Sequence, residues 1–89
     1  MRNDNIIFDI VKEVIDEYDP YGLLSAHAPN DEYDLESRKI SKKLNKNNTT
    51  DEIATIISEV FTDMFNKNFP KEDFAGAALD IKNYLDKYI

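Results

Sequence analysis

Between Ile53 and Phe65 the apolar residues Ile53, Ile56, Ile57, Val60, Phe61, Met64 and Phe65 recur at intervals of three and four. Only a helix gathers residues so spaced onto one side, since a strand would scatter them over both faces. A stripe this dense belongs at the centre of a core. In a chain of 89 residues without cysteine, such a core is also the only available source of stability, because no disulfide or thiolate zinc site can staple the fold.

The same period returns in Ile6, Ile7, Ile10, Val11, Val14, Ile15 and Tyr18 and predicts a helix over 3–18. It has to stop near Asp19, because the residue before Pro20 is pushed out of the helical region. Residues 19–30 form the long connection, in which Leu23 and Leu24 are expected to fold back as a hydrophobic plug. A helix is expected to open at Asn30 or Asp31, where a short acceptor side chain can bond the free amides of the first turn. Its thin inward face is Tyr33, Ser37, Ile40 and Leu44. Asp31, Glu32 and Asp34 lie at the positive end of its dipole, and Arg38, Lys39, Lys42, Lys43 and Lys46 collect toward the other.

Thr49 followed by Glu52 reads as a capping box opening the helix of the dense stripe. Pro70 sets the start of a last helix, with Glu72 and Asp73 in its first turn and Phe74, Ala78, Ile81, Leu85 and Tyr88 along one side. The small residues Ala75, Gly76, Ala77 and Ala78 read as a place of close helix approach. No strand pattern or internal repeat appears. The expectation is an all-α fold, one domain over residues 1–89, a four-helix and mostly antiparallel bundle. Ile7, Ile10, Val14, Ile57, Val60, Phe61, Ile81 and Leu85 are its expected core.

Charge divides the chain unevenly. Residues 1–36 carry ten acids against Arg2 and Lys12, a net of −8, whereas residues 37–89 carry nine bases against eight acids. A polyanion is repelled by such a field, so nucleic acid is excluded as a partner and a basic protein is favoured. The bland alternative is that an acidic surface keeps a small protein soluble. The chain opens on Met1, turns charged at once and has no apolar run near the ~20 residues of a membrane helix, so the expected location is cytoplasmic, away from the membrane.

Chemistry has little to work with. His27 is the sole histidine and has no evident partner for nucleophilic or general-base catalysis. Asp16, Asp19, Asp31, Glu32, Asp34 and Glu36 could gather round a hard cation, but their spacing is not that of an EF-hand. Gly22 and Gly76 are isolated, which rules out a phosphate-cradling loop. The expectation is a non-enzymatic protein without metal or cofactor.

The most patterned stretch is Tyr18-Asp19-Pro20-Tyr21-Gly22-Leu23, followed by Asp31-Glu32-Tyr33-Asp34-Leu35-Glu36 and then Ile40 and Leu44. In this order the residues resemble the YugE-like family of small helical bacterial proteins from Bacillus and its relatives, over about Val14 to Phe65 and more loosely to Leu85. The resemblance implies an all-α fold without enzymatic activity, and similar small proteins occur among immunity proteins that neutralise toxins. Tyr18 stands where a tryptophan is frequent in the family, and the loop Ser25–Asn30 is longer. Beside the resemblance, the turn has a structural reading. Asp19 can bond the turn amides, Gly22 can adopt a left-handed conformation, and Tyr18, Leu23 and Tyr33 can pack beneath as a clasp.

Two functions are compatible with these features. One is an acidic immunity or inhibitor protein that covers the cationic surface of a toxin such as a nuclease. Its contact residues would be Asp9, Glu13 and Asp16 on one helical stripe, with Asp19, Asp31, Glu32 and Asp34, and Tyr21 or Tyr33 as apolar anchor. The other is a regulatory or scaffold interaction module, including a homodimer. The oligomeric state is open.

Overall fold

A computed structural model describes residues 3–20 and 33–89. The described residues form four α-helices and no strand: α1 (Asn3–Tyr18), α2 (Asp34–Lys43), α3 (Thr50–Phe65) and α4 (Ala75–Tyr88), the last preceded by a 3-10 turn at Lys71–Phe74. Helix α1 packs on α2 and α4, and α3 packs on the same two, so the four close a ring around one core. Phe8 meets Arg38, Lys12 meets Asp34 and Asp19 meets Tyr33, which sets α1 and α2 antiparallel.

Each helix ends where its local chemistry changes. Beyond α1, Asp19 adopts a left-handed backbone with φ 47° ahead of Pro20, and its amide still bonds the Ile15 carbonyl. Helix α3 opens with the complete capping box: the Glu52 amide donates to Thr49 Oγ1 at 3.1 Å and the Thr49 amide donates to the Glu52 carboxylate at 2.8 Å. It closes at Asn66, φ 51°, one of the few non-glycine residue types that accept this conformation.

The apolar stripes converge as their periods require. Ile10, Val11, Val14 and Ile15 of α1 meet Ile53, Ile57, Val60 and Phe61 of α3 and Ala77, Ala78, Ile81 and Leu85 of α4 in a single buried cluster. Burying one such aliphatic or aromatic side chain contributes about 1.5–3 kcal/mol, and this sum is what the cysteine-free chain relies on. The inward face expected of α2 is also present, since Tyr33, Ser37, Ile40 and Leu44 are all buried.

Several details differ from expectation. Helix α2 runs from Asp34, with Tyr33 preceding it and no side-chain cap, while Asn30 and Asp31, where its start was expected, lie outside the described residues. The last helix does not follow Pro70 directly. Pro70 initiates a 3-10 turn, closed by the Asp73 amide on the Pro70 carbonyl, and α4 proper begins at Ala75. Ile7 is only half-buried, and Tyr88, the last residue of α4, is 56 % exposed. Of the small-residue patch, Ala77 and Ala78 are buried whereas Ala75 and Gly76 face outward. Tyr18 does not join a clasp with Tyr33; it is 42 % exposed and leans on α4, its hydroxyl over Gly76 and 3.3 Å from Asp80. Leu23, Leu24, His27 and Gly22 lie outside the described residues.

Candidate functional site

The acidic half of the sequence resolves into two groups with different fates. On α1, residues four apart stand one above another. Asp9, Glu13 and Glu17 therefore form one row, and all three are exposed with no hydrogen bond or ion pair among the described residues. Asp16, expected in that row, is turned instead toward the seam with α2. Its side chain keeps 22 % exposure, one carboxylate oxygen bonds Lys12 at 2.9 Å, and the other is buried without a partner.

Lys12 organises the seam. Its ammonium lies 2.6 Å from Asp34 and 2.9 Å from Asp16, tying the two helices. The hydrogen bond to Asp34, followed by that to Asp16, holds the Lys12 ammonium above its usual pKa range, although partial burial pulls the other way. The single Lys12 charge is thus shared between Asp34 and Asp16, and the three groups together keep one negative charge. Nearby, the Arg38 guanidinium covers the half-buried Phe8 ring at 4.6 Å from its centroid.

Asp19 and Tyr33 are also taken up internally. The Tyr33 hydroxyl donates to the Asp19 carboxylate at 2.6 Å, and the ring is fully buried against Phe61. Tyr33 is therefore a core residue and no surface anchor. Tyr21, Asp31 and Glu32 lie outside the described residues. Of the nine sequence candidates, then, Asp9 and Glu13 remain as freely exposed carboxylates, and Glu17 joins them. Glu17 was legible as the next step of the same four-residue interval, but the choice between the Asp16 and Glu17 directions depends on where α2 packs. Glu36, in the first turn of α2, is buried.

A cleft of about 420 Å³ opens where the end of α1 meets the approach to α4, lined by Tyr18, Pro20, Lys67, Asn68, Phe69, Asp73 and Phe74. Its polar groups include no nucleophile beside a base. Among the described residues no trio of His, Cys, Asp or Glu converges as a metal would need, and no described helix is long and apolar enough to cross a membrane.

The fold and this surface define a small all-α domain with an acidic helix face. Compared with known protein families, curated proteins and solved structures, the chain matches none.

Proposed function

We propose that this domain is a non-enzymatic binding protein whose acidic α1 face covers a cationic surface on another protein, most concretely as an immunity protein against a basic toxin such as a nuclease. The observation that carries this reading is the row Asp9, Glu13 and Glu17, three exposed carboxylates at one-turn intervals without internal partners, beside Asp16 and Asp34, which Lys12 already occupies. Unpaired charges of one sign on a rigid helix accelerate encounter with an oppositely charged partner and add specificity. The likeness of the Tyr18–Leu23 turn and the Asp31–Glu36 run to YugE-like proteins is a second support, as is the net −8 of residues 1–36.

The test begins with a partner recovered from the source cells and identified. Association of that partner with the parent chain and with Asp9→Lys, Glu13→Lys, Glu17→Lys is then timed at two salt concentrations. The expected result is a slower association with weaker salt dependence in the triple variant, since exposed charges act mainly on the on-rate. Equal rates and equal salt dependence would remove the row from the contact surface.

A further inference from the structure

The row Asp9, Glu13 and Glu17 borders α4, and what α4 brings to that border is aromatic. Residues four apart follow one another along a helix, and the four such rows succeed each other around it in number order. On α1 the row of Phe8, Lys12 and Asp16 makes the seam with α2. The next row is the acidic one, and the row after it holds Ile10, Val14 and Tyr18. Ile10 and Val14 are buried, and Tyr18 leans on α4. The acidic row therefore runs along the outer surface between α2 and α4.

On α4 the row that meets α1 is Gly76, Asp80, Tyr84 and Tyr88. Its first two members lie against Tyr18, whose hydroxyl sits over Gly76 and donates to Asp80 at 3.3 Å. Burial, then the charges of Asp80 and of Glu17, hold the Tyr18 phenol above its usual pKa. The acidic row and Asp80 thus converge on one hydroxyl. Since the end of α1 meets the start of α4, the two helices run antiparallel. With a rise of about 1.5 Å per residue, Glu13 falls near the level of Tyr84 and Asp9 near that of Tyr88.

Tyr84 is half-buried and Tyr88 is 56 % exposed, and their rings stack with centroids 6.1 Å apart. The Lys87 ammonium lies 5.4 Å from the Tyr88 centroid, so this ring already faces a cation. Carboxylates beside stacked phenol rings suit a guanidinium better than an ammonium. Arginine pairs a carboxylate through two parallel N–H donors and can lay its flat face on an aromatic ring, whereas a lysine ammonium is a strongly hydrated point charge.

We infer that the border of α1 and α4 docks an arginine-bearing segment of a partner protein, its guanidinium groups lying on Tyr84 and Tyr88 and pairing with Asp80 and the acidic row. This rests on the binding role proposed for that row, and it adds the flank that is used and the chemistry that uses it. Tyrosine and arginine are the residue types that concentrate binding energy at interfaces. The strip also supplies aromatic anchors in place of Tyr33, which the core consumes.

The probe is a short capped peptide of alternating arginine and alanine, compared with its lysine counterpart of equal charge. Each is titrated into the full chain at about 0.1 M salt, where distant charges are screened, with the tyrosine ring resonances followed by NMR. The arginine peptide should bind about fivefold more tightly than the lysine peptide and shift the rings of Tyr84 and Tyr88. Tyr88→Leu, at an exposed position that leaves the fold intact, should weaken the arginine peptide about threefold, and Tyr84→Leu with Tyr88→Leu about tenfold. Phenylalanine at both positions keeps the rings and should keep the affinity.

Equal affinity for the two peptides overturns the inference, because charge alone then accounts for binding. So does a Tyr88→Leu chain that binds like the parent, or an arginine peptide that fails to bind at about 1 mM. The proposed function is decided separately, by whether a basic partner recovered from the cells loses affinity for the Asp9→Lys, Glu13→Lys, Glu17→Lys chain. If it does while the ring variants bind it normally, the acidic row remains the contact surface and α4 is released from it. A partner indifferent to the acid reversal removes both.

Discussion

The hydroxyl of Tyr33 donates a 2.6 Å hydrogen bond to the carboxylate of Asp19, a residue held in the left-handed region at φ 47°. One short contact thus joins the end of α1 to the start of α2 and helps hold a backbone conformation that costs an ordinary residue about 1–2 kcal/mol. Removing the hydroxyl in Tyr33→Phe leaves the ring in place and should cost about 1.5–3 kcal/mol, the range for bonds to a charged group. Asp19→Asn keeps an acceptor and tolerates the left-handed backbone, so it should destabilise less than Asp19→Ala. Urea unfolding of the three variants measures this, and an equal loss for Asn and Ala would mean that the bond contributes little.

Phe61 touches Tyr33, Phe65, Phe69 and Phe74 with ring centroids 5.5–5.9 Å away, and it is fully buried. Phe61→Ala should cost about 3–5 kcal/mol. Tyr88→Ala, at a position the sequence pattern placed inward but the fold leaves exposed, should stay within about 0.5 kcal/mol. Thermal melts compare the two directly.

Gly76 sits in the first turn of α4 under Tyr18, and a Cβ there would lie 2.7 Å from the Tyr18 hydroxyl. In an open helix Gly→Ala stabilises by about 1 kcal/mol. Here the tyrosine tip has to shift and surrender its 3.3 Å contact with Asp80, so Gly76→Ala should gain clearly less. With Tyr18→Phe in the background the obstruction is gone and the full gain should return. A double-mutant cycle reads the coupling, and additive values would place Tyr18 elsewhere in solution.

The capping box also makes a prediction about acid. Hydrogen bonds from the Thr49 backbone and then from Asn48 hold the Glu52 carboxyl below its usual 4.5. A carboxyl that binds its proton less tightly folded than unfolded stabilises the fold above the unfolded value, and this contribution disappears as pH falls through the lower folded value. Glu52→Gln retains an acceptor without the titration. Its stability should fall less steeply than the parent's below about pH 5. Parallel curves for the two proteins would dissociate Glu52 from the acid response.

What could be read from the sequence follows the range of the forces involved. The Thr49–Glu52 box and the Asn3–Tyr18 helix were legible because a cap bond and an apolar period are decided within a few residues. Asp16 against Glu17 was not, since both lie near the outward side of α1 and only the approach of α2, with Lys12 reaching Asp34, turns one inward. The apolar period places Tyr18 inward, but at the last turn of its helix it meets the bare Gly76 surface of α4 and stays half outside. Asn30 and Asp31 look like caps in the sequence, but a cap signal does not say whether the residue after it is needed in the core. The fold instead spends Tyr33 on the core and begins the helix after it.

The phenyl rings of Phe61, Phe65, Phe69 and Phe74 all come from one short stretch of chain, bent back at Asn66. There the Phe69 amide donates to Thr62 Oγ1 and the Phe69 carbonyl accepts from Ser58 Oγ. Closing so short a loop sacrifices little chain entropy. Contacts between near neighbours in sequence are the ones that can form before distant ones are found. The C-terminal half is therefore the expected folding nucleus, with α1 and α2 condensing on it afterwards. Truncations at Phe69 and Phe74 should slow folding, whereas truncations at Val11 and Ile40 should mainly speed unfolding.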